Sequence, residues 1–467
     1  MPAINREGRI DTLLGVSSAI LDLFSTISDL EVVTDALELE QYRRDKSGQK
    51  SSTPPSLVVK PRSVEAVQEV MRHAFAHNIA IVPRGGGSGL AGGALASQRE
   101  VVVDLSSLNS ILEISPEDRL ARVQAGVINA ELNARAEECG LWFAPDPASR
   151  PWSTVGGNIA TNAGGLLCAK YGVTRESVLE LSVVMSDGRL ITMGHRSVKG
   201  VTGLDLCQLM IGSEGTLGVI VEATVKLLPL EQHPVWTIQA TFPDAQRAAR
   251  ACLEVTKAGF TPAMLELIDE TAYPLIAAYV GESDSTDGQA VVVCQTNGAS
   301  SEEHRRAIEE IFSTYGGSAS RVAAGEEAEA LLALRRAMHP AMESHGTVLI
   351  EDVAVPRSRM EAMFREIRTL ESRFGFPIPT VAHAADGNLH PNFLFEGDEV
   401  PSEIWEAAGA LFRAALGHGG TLTGEHGVGL LKKRWLSEEL GDEQWELQRA
   451  IKNVFDPTGI LNPGKVF

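Results

Sequence analysis

Apolar residues along this chain change their period several times, and each change marks an element. Val64, Val67, Val70, Met71 and Ala74 recur at helical spacing just after Pro61-Arg62-Ser63, so a helix starts there with one face inward. Short apolar runs follow, IAIVP (Ile79–Pro83), VVVDL (Val101–Leu105) and ARVQAG (Ala121–Gly126). Their length and β-branched content predict strands, and an amphipathic helix ends near Gly140. Beyond Pro229 the texture becomes regular. Strand VWTIQATF, helix DAQRAARACLEVTKAG and strand PAMLELID precede strand AVVVCQT, helix SEEHRRAIEEIFSTYG and strand ASRVAAG. Two such βαβ-like units with antiparallel pairing potential predict an α+β cap with a ferredoxin-like sheet. Residues 1–50 read as helical segments of mixed charge, and the polar SGQKSSTPPS (Ser47–Ser56) leads into the first domain. The predicted organisation is therefore an N-terminal helical segment over 1–50, a first α+β domain over 51–230 and a cap over 231–425. A C-terminal segment over 426–467 returns to helix and ends in DPTGILNPGKVF.

Composition narrows the partners. The chain has 467 residues, 44% hydrophobic and 22% charged, enough for two or three domains with ample core. A net charge of −20 argues against nucleic acid or anionic lipid as the main partner. An anionic substrate would need a local cation, such as a metal or a specific Arg, against that field. The five cysteines, Cys139, Cys168, Cys207, Cys252 and Cys294, contain no CxxC pair. They exclude a disulfide framework or a cysteine-ligated cluster within the chain and read as buried thiols of a cytosolic protein. MPAINREGRID lacks an apolar signal region, and no apolar run approaches spanning length, so a soluble cytoplasmic protein is expected.

Glycine clusters supply the first chemistry. Gly87-Ser88-Gly89-Leu90-Ala91-Gly92 matches GxGxxG, with Asp104 downstream. A dinucleotide fold needs a helix straight after those glycines, yet VVVDL begins eight residues after Gly93. A crossover helix needs roughly ten or more, so that reading fails on length. A loop whose amides wrap a pyrophosphate explains Pro83, Arg84, Gly85, Gly86, Gly87, Ser88 and Gly89 instead, because glycine permits close approach and convergent N–H groups. A second loop follows Pro145, with Ser153, Thr154, Gly156, Gly157, Asn158, Thr161, Asn162, Gly164 and Gly165. A third, GSEGTLGVI, offers Glu214, Gly215, Gly218 and Ile220 against an apolar strand. Three donor-rich loops across about 130 residues suit a long cofactor better than a single phosphate.

The densest chemistry lies in TVAHAADGNLHPNF (Thr380–Phe393) and GEHG (Gly424–Gly427). Asp386-Gly387 is a two-residue hairpin signal, and a loop of those two residues sets His383 opposite His390. Opposed side chains sit roughly 5 Å apart at Cβ, which suits two imidazoles on one metal. A carboxylate from Glu425 or Asp386 would complete an open site, and Asn392 shares a face with His390. Two histidines with ordinary hydrogen bonds would leave the same pattern.

Taken together these segments resemble the flavoproteins of the vanillyl-alcohol oxidase type, with a PCMH-type FAD-binding domain. PRGGGSG resembles the pyrophosphate loop, TNAGG and GSEGTLG two further FAD-contacting segments, and LNPGK, with Asn462, the terminal one. HAADGNLHP with GEHGVG resembles the D-2-hydroxyacid dehydrogenase branch, over roughly Ser51 to Phe467. The resemblance implies an FAD domain of two α+β lobes under a cap. It implies a divalent metal, usually Zn²⁺, held by His383, His390 and Glu425, and His426 as base. Mn²⁺ and Fe²⁺ suit the same donors. Arg335, in LRRAM, is the candidate carboxylate clamp, and Asn392 joins it and His426 as a candidate catalytic residue. Covalent members often carry a His after the Gly-Gly, where this chain has Gly87, so FAD is expected to be dissociable. The implied reaction is hydride transfer from a small D-2-hydroxy acid to flavin N5, with a quinone, a cytochrome, an electron-transfer flavoprotein or oxygen as acceptor. Relatives acting on hydroxyglutarate carry a Lys where TVLIEDVAVP has Ile350, which points to D-lactate, glycolate or similar acids. The alternatives are D-2-hydroxyglutarate oxidation, a non-redox exchange of the alkylglycerone-phosphate synthase kind, or an electron carrier without catalysis. Oligomeric state stays open, a homodimer included.

Overall fold

The computed structural model describes residues 18–281, 288–397 and 399–467. The first domain has two lobes. In one, Leu57–Pro61, Glu100–Asp104 and Ala80–Arg84 run parallel, and Leu30–Val33 adds an antiparallel edge. The helix Val64–His77 packs on this sheet, started by Ser63, whose Oγ accepts from Ala66 N at 3.2 Å as N-caps do. The other lobe is an antiparallel sheet in the order Ile111–Ser115, Leu120–Gln124, Val219–Lys226, Val178–Val184, Leu190–Gly194. The all-helical reading of residues 1–50 needs correction. Ser18–Ser25 and Ala36–Glu40 are helices, but Leu30–Val33 pairs with the apolar strand Leu57–Pro61, and residues 1–17 lie outside the described residues.

The cap strands order as Ser318–Ala324, Trp236–Phe242, Ala290–Thr296, Met264–Ile268, all antiparallel, which is the ferredoxin-like arrangement. The sheet then continues into Thr380–His383, Asn388–Phe395 and Thr347–Ile350. The histidine hairpin is thus part of the cap sheet. Helices Ala245–Lys257, Ser301–Thr314, Met360–Phe374 and Ser402–Gly417 cover one face. Ala272–Val280, Glu326–Arg336 and Met338–Glu343 contribute to the core on the other. Alternation along Met264–Ile268 sends Leu265 and Leu267 into the first core and Met264 and Ile268 into the second, so Glu266 points to the second face.

The chain then returns to the first lobe. Leu461 bridges to Ile81, and Asn462 Nδ2 donates to Gly93 O (3.0 Å) and Glu214 O (2.7 Å). Among the described residues no helix is long and apolar enough to cross a membrane.

Candidate active site

A cavity of about 720 Å³ lies between the first domain and the cap. The first loop lines it from Pro83 to Gly89, the second through Thr154, Gly156, Gly157, Asn158, Thr161, Gly164 and Gly165, the third through Glu214, Gly215, Gly218 and Ile220. Among the described residues the N–H groups of Gly86, Gly87, Ser88 and Gly89 donate to no protein acceptor. Gly86 is exposed and Gly87, Ser88 and Gly89 are half-buried, so these amides face the opening, whereas Asn158 Nδ2 is buried without a partner. A buried donor in a native protein finds an acceptor and unpaired loop amides converge on anions, so together they fit a polyanionic cofactor. Several glycines serve a second purpose. A Cβ on Gly85 would sit 2.2 Å from Thr154 Oγ1, one on Gly86 2.3 Å from Trp152 O, and one on Gly156 2.5 Å from the Ala125 Cβ. The loops interlock, which the anion argument alone did not foresee.

Four sequence candidates do not line the cavity. Pro145 accepts from Asn129 through its carbonyl, and Ser153 is fully buried. Asn162 caps the helix Val155–Thr161 and accepts from Arg175 N. Asn462 is the latch described above. Glu214 lines the wall, but its carboxylate accepts from Val428 N (2.7 Å) and Gly429 N (2.9 Å), so it clamps the C-terminal loop. Burial pushes it up to about 7. Lys46, Asp146, Arg150, Arg336 and His339 also face the cavity.

At the cap end stand His383, His390, Asn392, Glu425 and His426. The hairpin loop has four residues, Ala384–Gly387, so His383 faces Asn388 and His390 faces Val381. The expected His383–His390 opposition is therefore corrected. Ala384 and Ala385 are buried in the cap core, Ala384 N donates to Leu265 O, and Gly387 O accepts from Val355 N. Those contacts outweigh the turn signal. A slip of two residues keeps every side chain on its face, and the two rings still lie 5.0 Å apart, edge to face.

Glu425 Oε1 lies 3.4 Å from His383 Nε2, 3.1 Å from His390 Nε2 and 3.9 Å from His426 Nε2. Asp386 is not in this group; its Oδ1 accepts from Asn388 N. Glu266, cross-strand from His383, accepts from its Nδ1–H at 2.7 Å and so leaves Nε2 to face Glu425. Burial alone would raise Glu266, but His383 and Arg335 outweigh it and hold the carboxyl below its usual range. Burial is outweighed again at His383, held well above the ordinary imidazole value by Glu266 and Glu425. It is outweighed too at Glu425, held well below its own by His383 and His390. A divalent cation would balance Glu425 as the imidazolium does. Two imidazoles whose Nε2 atoms both turn to the Glu425 carboxylate, with a second carboxylate behind the first ring, fit such an ion. His426 stacks on His390 at 5.0 Å, and burial lowers it to about 4. Near neutral pH its ring is therefore neutral. Arg335 reaches the cavity, but its Nε is bonded to Glu266 Oε2 at 2.6 Å. Glu266 was missed from sequence, although a Glu inside the apolar MLELI was the available signal.

The family described as "FAD binding domain" matches residues 55–194, and "FAD linked oxidases, C-terminal domain" matches residues 233–466. This chain belongs to the FAD-linked oxidase family. Among the curated relatives of this chain is glycolate oxidase subunit GlcD of Bacillus subtilis, 36% identical over 91% of this chain and 92% of that one. D-lactate dehydrogenase of Archaeoglobus fulgidus is 34% identical over 88% and 91%. D-2-hydroxyglutarate dehydrogenase of Stutzerimonas stutzeri is 34% identical over 96% and 99%. The solved structure of p-cresol methylhydroxylase superposes with a TM-score of 0.78 at 16% identity, covering 97% of this chain and 98% of that one. Alkyldihydroxyacetonephosphate synthase gives 0.74 at 21%, covering 99% and 88%. At those identities the two structures bear on the fold alone. The PCMH-type FAD domain and the cap are as the resemblance implied.

Proposed function

We propose that this FAD-linked oxidase converts a short D-2-hydroxy acid, D-lactate-like in size, to the 2-oxo acid, using dissociable FAD and a divalent cation. One observation carries the reading. Three imidazoles converge on Glu425 Oε1 at the end of a cavity whose other walls are the glycine loops. Bound there, FAD supplies a hydride acceptor and the cation a Lewis acid. The loops from Pro83, Thr154 and Glu214 hold the cofactor, and His383, His390 and Glu425 hold the cation. Neutral His426 accepts the substrate hydroxyl proton at Nε2. Arg335 keeps Nε on Glu266 and offers its terminal nitrogens to the substrate carboxylate. Asn392 donates to His390 O (2.8 Å) and Pro379 O (3.1 Å), which steadies the strand carrying His390.

Ile350 lines the cavity and pairs with Asn392 across the sheet. A distal carboxylate against that alkyl wall would lose hydration without a partner, at a cost of several kcal/mol by order of magnitude. His339 is engaged through Nε2 by Glu343 at 3.1 Å. A second reading, D-2-hydroxyglutarate, is favoured by Arg150 and Arg336 on the same cavity wall. Anaerobic mixing of the FAD-loaded protein with D-lactate, D-2-hydroxybutyrate, glycolate and D-2-hydroxyglutarate separates these. Bleaching of the visible flavin band fastest with D-lactate is expected. Fastest bleaching by the diacid selects the second reading, and no bleaching by any of the four refutes both.

A further inference from the structure

Asp352 follows the strand Thr347–Ile350, is fully buried, and has no role in the function proposed above. Its Oδ2 accepts from Thr423 Oγ1 at 2.6 Å and from the backbone N–H groups of Glu425 and His426, both at 3.0 Å. Its Oδ1 accepts from Asn388 Nδ2 at 2.5 Å and lies 3.7 Å from His390 Nδ1. One carboxylate therefore ties the loop bearing Glu425 and His426 to the hairpin bearing His390. Lys432, itself buried, places Nζ 3.6 Å from Oδ2 and donates to Asp352 O at 3.0 Å. That ammonium offsets the cost of an ionised carboxylate so deep in the protein.

A second observation is independent of those bonds. Nδ1 of His390 and Nδ1 of His426 are buried without a hydrogen-bond partner. Asp352, His390 and His426 nonetheless each bring a ligand-type atom within 4.8 Å of the other two. His383 shows the completed form of the arrangement, with Nδ1–H held by Glu266 and Nε2 turned to Glu425.

We propose that Asp352 is the positioning residue of this site: it selects the Nδ1–H tautomer of both His390 and His426. The tautomer of a neutral imidazole follows the bond made by its other nitrogen. With Nδ1–H directed to Asp352, Nε2 of His390 is free for a cation and Nε2 of His426 for a proton. The inference rests on reading the site as a cation centre with an imidazole base. A rival use of the same side chains, as a second cation site, predicts a different stoichiometry.

The test uses full-length, FAD-loaded protein labelled with ¹⁵N-histidine. Ring nitrogen shifts should show Nδ1–H at both His390 and His426 in the wild type; Nε2–H at either ring overturns the proposal without any variant. Asp352→Asn should shift His426 toward Nε2–H and weaken Zn²⁺ binding to chelator-stripped protein by about 10- to 100-fold. It should lower kcat by about 10²- to 10⁴-fold with little change in KM or FAD content. Unchanged tautomers and Zn²⁺ affinity in the variant overturn it. So does wild-type uptake of two Zn²⁺ with one lost in the variant, which would make Asp352 a ligand. Lys432 Nζ also lies 3.7 Å from the buried Glu351, so if Asp352→Asn fails to fold, E351Q/D352N/K432M removes all three buried charges and is read the same way. Failure of every hydroxy acid to reduce the flavin, with tautomers and Zn²⁺ response as expected, rejects the proposed reaction and leaves the role of Asp352 standing.

Discussion

Adding one methyl group at Gly164 should disable the Glu425 cluster from the side of the second glycine loop. A Cβ at Gly164 falls 2.1 Å from Glu425 Oε2, 3.1 Å from its Cβ and 3.2 Å from its Cδ. Ordinary contact begins at 3.4 Å, so Oε2 must retreat from 2.1 to 3.4 Å, about 1.3 Å. The backbone at Gly164 is not left-handed, so alanine adds no strain of its own there. The carboxylate has little room to retreat, because Oε1 faces His390 Nε2 at 3.1 Å and His383 Nε2 at 3.4 Å. Overpacking of this kind costs about 1–3 kcal/mol of stability, which a folded protein can absorb. A misplacement of about 1 Å at a reacting centre costs on the order of 10²-fold in rate. Gly164→Ala should therefore fold, hold FAD, bind Zn²⁺ more weakly and lose about 10²-fold in kcat/KM. Stopped-flow flavin reduction with Zn²⁺ calorimetry reads this directly. Wild-type Zn²⁺ affinity together with wild-type rate would refute the argument that Gly164 presses on a functional carboxylate.

Acid precipitation should release all the yellow colour into the supernatant, since Gly87 offers no nucleophile; colour retained in the pellet contradicts dissociable FAD. His383→Ala should abolish turnover and lower metal content while FAD stays bound, and an active metal-free variant would sink the cation centre. His426→Ala should keep its metal and lose about 10²- to 10⁴-fold in rate; loss of metal there would mean the two roles are exchanged. Ile350→Lys should move kcat/KM toward D-2-hydroxyglutarate, and an unchanged ranking of the four acids would clear Ile350 of any part in selection.

The cap was legible because its strands and helices carry clean periods, and all six predicted elements are present. The hairpin was legible as a hairpin, and its face survived a register error because the slip was even. Turn chemistry at Asp386-Gly387 competes with burial of Ala384 and Ala385, and local sequence does not show which dominates. Glu266 and Asp352 escaped for a different reason. They act through cross-strand and loop partners 117 and 74 residues away, so no local spacing announces them. Leu30–Val33 is an edge strand whose character comes from its partner Leu57–Pro61, beyond the reach of a local pattern. The glycine loops do line one cavity, but only the folded chain separates glycines that face it from those another loop presses upon.

The interlock of those loops bears on how the cofactor is acquired. Thr154 fills the space beside Gly85, the Trp152 carbonyl that beside Gly86, and Ala125 that beside Gly156. Protein atoms therefore hold the loops in shape, and a cofactor meets a surface already formed. Ordering a loop backbone costs about 1–2 kcal/mol per residue, and here that cost falls on folding and leaves the association free energy intact. Cofactor-stripped protein should accordingly keep its cradle and recover FAD on simple mixing, without a refolding step. Bulk at Gly85, Gly86 or Gly156 would instead pry the loops apart and turn cofactor capture into a slow, conformationally gated event.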